Sequence, residues 1–101
     1  MDKNVKMSML LDLYGKLLTD TQSDTVSLYY DQNLSLSEIA EELQITRQGV
    51  RKNLTLAEER LLHYEEKLGF LKQKLAQNAI LEEVIRSVKE QEIQEKLRKL
   101  L

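Results

Sequence analysis

The chain has 101 residues, 42% of them hydrophobic and 32% charged, with a net charge of −2. This composition is typical of one small globular domain and excludes a disordered chain, and the slight negative charge argues against general electrostatic attraction to nucleic acid. There are no prolines, three glycines and no cysteines, which predicts an all-α fold and excludes disulfide scaffolds and cysteine-based chemistry.

The first predicted helix has apolar residues at spacings of three and four, which is the pattern of one buried helix face. These residues are Met7, Leu10, Leu11, Tyr14, Leu17 and Leu18. Thr19 and Gln22 then have the spacing of a capping box, which predicts a new helix start.

The second predicted helix runs to about Asp31 and buries Val26 and Leu28, with either Tyr29 or Tyr30. Asn33 follows, and asparagine tolerates the left-handed conformation that ends helices.

Residues 35–54 have the pattern of a helix-turn-helix. Ser35 and Glu38 form a second capping box at the start of a short helix. Gln44 and Ile45 form the turn, and Thr46 caps a long fourth helix that ends at Gly69. A wedge of Ile39, Leu43, Ile45 and Val50, with the small Ala40 at the crossing, would hold the two helices at an angle. The fourth helix has a predicted apolar face made of Val50, Leu54, Ala57, Leu61, Leu62 and Leu68.

The amino end of the fourth helix is the candidate binding site. From Arg47 to Thr55 the chain contains basic residues and no acid. A capped helix start directs free N–H groups and a positive dipole end outward, which favours phosphate. Basic and amide side chains on the first turns of such a helix can reach base edges or the nucleic-acid backbone. The predicted nucleic-acid-binding residues are Thr46, Arg47, Gln48, Arg51 and Lys52.

The last third, residues 70–101, is predicted to be a C-terminal helical extension of a helix-turn-helix domain at residues 1–69. One stripe contains Leu71, Leu75, Ile80, Leu81, Val84, Ile85 and Val88, and another contains Ile93, Leu97 and Leu100. The five-residue step between the stripes, with a capping box at Ser87 and Glu90, favours a break near residues 87–89, although one continuous bent helix is an alternative. A small domain offers little surface to cover these stripes, so we expect a homodimer through the C-terminal helices or capture of a partner helix.

Catalysis and cofactor binding have little support in the sequence. His63 is the only histidine, so neither a Ser/His/Asp triad nor a multi-histidine metal site can form within one chain. The four Glu-Glu pairs are consecutive on helices, and the glycines are isolated rather than clustered in a phosphate loop. No signal peptide or membrane-spanning stretch is evident. We predict a cytoplasmic protein that is not an enzyme, has no cofactor and binds no metal.

Residues 18–61 resemble region 4 of bacterial sigma factors, the helix-turn-helix that reads promoter elements. The stretches MSMLLDLYGKLLT, ITRQGVRKNL and LLHYEEKLGF narrow the resemblance to the YlxM family of small helix-turn-helix proteins, whose genes tend to lie beside that of the signal recognition particle GTPase. The resemblance implies a regulator or accessory factor that binds DNA, or the RNA or GTPase of that particle. The alternative is a helical protein-interaction module in which the helix-turn-helix is only structural.

Three residues depart from the usual pattern of the family. Gln44 stands where glycine is common, so a left-handed conformation there would cost on the order of 1 kcal/mol. Thr55 and Leu56 stand where relatives typically have basic residues. We therefore predict weak nucleic-acid binding that fades near physiological salt.

Overall fold

The computed structural model describes residues 1–101 and contains six α-helices and no strand. The helices are α1 (Lys3–Tyr14), α2 (Asp20–Val26), α3 (Leu36–Leu43), α4 (Arg47–Leu68), α5 (Phe70–Ser87) and α6 (Gln91–Arg98). A 3₁₀ turn, Gly15–Leu17, follows α1, and a π-helical turn, Ser27–Asp31, follows α2. The predicted all-α class is confirmed. The chain divides into two compact units, Met1–Gly69 and Phe70–Leu101.

In the first unit, α4 is the central helix, and α1, α2 and α3 all pack against it. The buried side of α4 consists of Val50, Leu54, Ala57 and Leu61, one per helical turn. The other helices and turns contribute Met7, Leu10, Tyr14, Leu18, Val26, Tyr30 and Ile39 to this core. Burial of this apolar surface is the main stabilising contribution, and it fixes α4 so that the opposite side faces solvent.

The predicted helix starts of the first unit are confirmed. Thr19 and Gln22 form the capping box of α2, and Ser35 and Glu38 form that of α3. In each box the side-chain oxygen of the cap accepts from the backbone N–H three residues on, and that residue's side chain accepts from the N–H of the cap. Satisfying these amides locally defines where each helix begins.

The second helix differs from the sequence prediction because its α-helical part ends at Val26. The N–H of Gln32 donates to the carbonyl of Ser27 at 3.1 Å, a five-residue step typical of a π-helical turn. Of the two candidate tyrosines Tyr30 is buried, and Leu28 is only half-buried. The predicted ending is confirmed, since Asn33 has a left-handed φ of 56°.

Three leucines predicted on buried faces are exposed. Leu17 is 55% exposed because it lies within the tighter 3₁₀ turn that follows α1, where the spacing of the buried face of α1 no longer holds. Leu62 is 41% exposed because it lies beside the stripe that Leu54, Ala57 and Leu61 define, whereas Leu68, 49% exposed, lies on the same side as Leu61 but is the last residue of α4. The buried face of α4 is thus narrower than predicted.

Two tyrosines form hydrogen bonds to α4 along its length. The hydroxyl of Tyr14 donates to Oε1 of Glu65 at 2.7 Å, and that of Tyr30 donates to Oε1 of Glu58. Lys3 Nζ lies 3.6 Å from Glu58 Oε2. Hydrogen bonds from hydroxyls to carboxylates are stronger than those between neutral groups, so these contacts help to fix α4 against α1 and the π-helical turn.

The second unit consists of α5 and α6. Non-helical residues 88–90 separate them, which confirms the predicted break and rejects the continuous helix. The predicted capping box is wrong, since Ser87 Oγ donates back to the carbonyl of Val84 at 2.8 Å and Glu90 provides no side-chain cap. Instead, the side-chain amide of Gln94 donates to the carbonyls of Ile85 and Val88, where α5 ends. These bonds satisfy carbonyls that a helix end leaves without partners.

Candidate nucleic-acid interface

The turn between α3 and α4 is three residues long and has the geometry of a Schellman motif. Gln44 is left-handed, with φ 55° and ψ 44°. Its N–H donates to Glu41 O at 3.3 Å, and the N–H of Ile45 donates to Ala40 O at 3.1 Å. Gln44 therefore has the conformation that glycine adopts more easily, as its position in the turn predicted.

The wedge that braces the turn matches the sequence prediction. Ile39 and Val50 are fully buried, while Leu43 and Ile45 are half-buried. These aliphatic side chains hold α3 against the first turns of α4. The amino end of α4 is consequently a rigidly placed feature of the surface.

Thr46 caps α4, as predicted. Its Oγ1 accepts from the N–H of Gly49 at 2.9 Å. A Cβ at Gly49 would lie only 3.1 Å from Oγ1 of Thr46, so the glycine leaves room for this bond. The cap satisfies one amide of the first turn, and the N–H groups of Arg47 and Gln48 have no partner within the helix. They contribute the positive end of the helix dipole at an exposed position.

All five predicted side chains, Thr46, Arg47, Gln48, Arg51 and Lys52, are exposed. At about 100° of rotation per residue, Gln48 and Lys52 point away from the core, and Arg47 and Arg51 lie together on one flank. Arg47, Arg51 and Lys52 form no ion pair. Three cationic groups and a helix dipole therefore converge on the first two turns of α4.

Sequence reasoning missed one residue of this surface, Glu59. Thr46, Arg51, Lys52, Thr55, Leu56 and Glu59 lie on one continuous surface of α4. Thr55 and Leu56 add an uncharged stretch beyond the basic side chains, and Glu59 places a carboxylate one turn further on. Its spacing of seven residues from Lys52 was the available signal, because residues seven apart share a helix face. The basic surface is therefore short, bounded by an acid on its own face.

Other kinds of site are not formed. No three His, Cys, Asp or Glu side chains come together as metal ligands would. No helix combines the length and apolarity needed to cross a bilayer.

The whole chain, residues 1–101, matches the family described as "Putative helix-turn-helix protein, YlxM / p13 like". A UPF0122 protein of Halalkalibacterium halodurans is 41% identical over 101 residues, which cover all of this chain and 93% of the relative. UPF0122 proteins of Desulforamulus reducens and Listeria welshimeri are 46% identical over 80 residues and 48% identical over 71 residues. These matches cover 79% and 70% of this chain, and 68% and 64% of the relatives. The chain therefore belongs to the UPF0122 family of YlxM/p13-like helix-turn-helix proteins.

Proposed function

We propose that this protein is a regulatory factor that binds nucleic acid through the amino end of α4. The observation that carries the proposal is the exposure of Arg47, Arg51 and Lys52, unpaired with any carboxylate, around the helix start that Thr46 caps. Membership of a helix-turn-helix family supports the same use of this helix. No catalytic activity is part of the family's description.

The five side chains divide into two roles. Thr46, Arg47 and the free amides of the first turn suit phosphate, because they combine charge with the dipole end. Gln48, Arg51 and Lys52 project from the part of the helix that enters the major groove in helix-turn-helix complexes, where Gln pairs with adenine and Arg or Lys with guanine. We assign the first group to positioning and the second to base recognition.

The size of the basic surface sets the strength of binding. Three basic side chains neutralise at most about three phosphates, far fewer than the six to ten contacts of a tight DNA binder. Glu59 repels any phosphate that follows the helix beyond Thr55. A weak complex follows, which requires a second contact to persist at physiological salt.

A gel shift with a 30-base-pair mixed-sequence duplex at low salt tests the proposal. The double substitution Arg47→Ala/Arg51→Ala should abolish the shift. Lys16→Ala/Lys67→Ala is the matched control, since it also removes two exposed positive charges from the first unit and should leave the shift intact. Equal shifts for the two double variants would reject the site.

The link to the signal recognition particle rests on the family resemblance, and the same basic surface gives it a physical route. RNA carries the same phosphate charge as DNA, so the particle's RNA is a possible ligand for Arg47, Arg51 and Lys52. Crosslinking in extract, followed by identification of DNA, the particle's RNA or its GTPase, distinguishes these partners. If none of the three is recovered, the helix-turn-helix is a structural corner of a protein-interaction module. A cytoplasmic location follows from the proposal, because its targets lie there.

A homodimer through the C-terminal helices completes the proposed function. Ile80, Val84 and Ile93 are 61%, 41% and 43% exposed in the single chain. Apolar groups on both α5 and α6 are thus available to a second copy. Two copies would present two α4 helices, and helix-turn-helix proteins commonly use such pairs on two half-sites.

A further inference from the structure

The helix α5 has an exposed, uncharged side in addition to its partly buried inner side. Its inner side contains the buried Leu71 and Ile85, with Asn78, Leu81 and Val88 half-buried. A different set of residues lies within an arc of about 100° on another side of the same helix. This outer face consists of Gln73, Ala76, Gln77, Ile80, Val84 and Ser87, all of them exposed.

The outer face contains no charged residue. The five charges of α5, on Lys72, Lys74, Glu82, Glu83 and Arg86, all lie outside it. In a chain with 32% charged residues, an exposed helix face of six uncharged residues is unusual, because a solvated face is normally charged. Absence of charge also removes the repulsion that opposes pairing of a face with an identical copy of itself.

The order of residues on the outer face reads similarly in both directions from Ile80. Ala76 and Val84 stand four residues before and after it, and Gln73 and Ser87 stand seven before and after. When two such helices pack antiparallel about a twofold axis at Ile80, residues equally far before and after Ile80 come opposite each other, and Gln77 meets Glu83, which lies just outside the outer face. Ile80 then meets Ile80 of the second copy, the small Ala76 meets the larger Val84, and the Gln73 amide meets the Ser87 hydroxyl.

We propose that the outer face of α5 binds a second copy of this chain, antiparallel, with the twofold axis at Ile80. The inference rests on the homodimer of the proposed function and names the surface that forms it. Alternation of small and large side chains across the axis allows the two helices to approach closely. The terminal Gln73 and Ser87 pairs exchange a hydrogen bond, since the Ser87 oxygen still accepts while its hydrogen donates to Val84 O.

The area of the outer face makes this pairing transient. From Gln73 to Ser87 the helix advances about 21 Å, and a helix presents a width of about 10 Å, which gives roughly 200 Å² per copy. A stable interface buries about 800 Å² per partner. The dimer therefore forms at high local concentration, as when two copies bind neighbouring sites on one nucleic acid.

Disulfide crosslinking tests the twofold axis directly, because the chain has no cysteine of its own. Ile80→Cys would place two thiols face to face, whereas Glu82→Cys, also exposed on α5, would place them on the far side of the helix. Since paired thiols react at a raised effective concentration, we expect about tenfold or faster dimer crosslinking for Ile80→Cys under mild oxidation. Equal rates, or faster crosslinking of Glu82→Cys, would overturn the proposed face.

Sedimentation equilibrium of the intact chain separates this inference from the dimer itself. The proposed face is supported if the wild type associates reversibly and Ile80→Glu abolishes this association while keeping the helical circular-dichroism spectrum. Association that Ile80→Glu leaves unchanged keeps the dimer but rejects its placement on this face. A strictly monomeric wild type at millimolar concentration, with no crosslinking of Ile80→Cys, would reject both.

Discussion

Removal of Lys52 changes the salt dependence of nucleic-acid binding by a predictable amount. Lys52 is one of three exposed basic side chains on the first two turns of α4, and it forms no ion pair. Each phosphate neutralised contributes about −0.9 to the slope of log K against log salt. Three contacts give a slope of about −2.7 and two give about −1.8. Between 50 and 200 mM salt the wild type should lose affinity about 40-fold and Lys52→Ala about 12-fold.

Fluorescence anisotropy with a labelled mixed-sequence duplex measures both slopes. Lys16→Ala is the matched control, because Lys16 is also an exposed lysine. It lies on the 3₁₀ turn whose Leu17 carbonyl accepts from Tyr64, and Tyr64 is about 27 Å along α4 from Thr46. This variant should keep the wild-type slope. A slope for Lys52→Ala equal to that of the wild type would refute the assignment of Lys52 to the interface.

Three further predictions concern the scaffold that presents the site. Ser35→Ala removes the cap of α3 and should lower the free energy of unfolding by about 1 kcal/mol in urea denaturation. Ser37 is exposed within the same helix, so Ser37→Ala should have little effect. Equal losses for the two variants would exclude the cap as the cause. Gln44→Gly removes the cost of the left-handed conformation, so it should raise the free energy of unfolding by about 1 kcal/mol and with it the thermal midpoint. A lower midpoint would contradict the strain argument. Burial and the hydrogen bond to Glu58 raise the pKa of Tyr30. The fold therefore favours the neutral phenol, and this contribution to the free energy of unfolding is complete below about pH 10 and is lost as the pH rises further. Above about pH 10 the free energy of unfolding should fall more steeply in the wild type than in Tyr30→Phe, and parallel pH profiles would be inconsistent with this.

Local signals in the sequence predicted the helix-turn-helix well. The caps at Thr19, Ser35 and Thr46 depend only on residues three positions away, so spacing identifies them. The buried positions of α4, from Val50 to Leu61, repeat at helical spacing over about three turns, which makes the core side clear.

Features that depend on packing were not predictable in the same way. Leu17 has the apolar character of a core residue, but the 3₁₀ turn that exposes it is set by how α1 meets α2. The π-helical turn at Ser27–Asp31 inserts a residue without any change in hydrophobic pattern that would reveal it. Ser87 and Glu90 have capping-box spacing, yet the hydroxyl of Ser87 bonds within its own helix and Gln94 supplies the contact between helices. Spacing identifies possible partners, and tertiary structure decides among them.

The central claim is that the amino end of α4 contacts nucleic acid. Amide chemical-shift mapping by NMR during titration with a mixed-sequence duplex at low salt tests it residue by residue. The account predicts that the largest shifts occur from Thr46 to Lys52, with smaller ones at Thr55 and Leu56. Shifts confined to α5 and α6, or absent from Thr46 to Lys52 while the duplex binds, would contradict it.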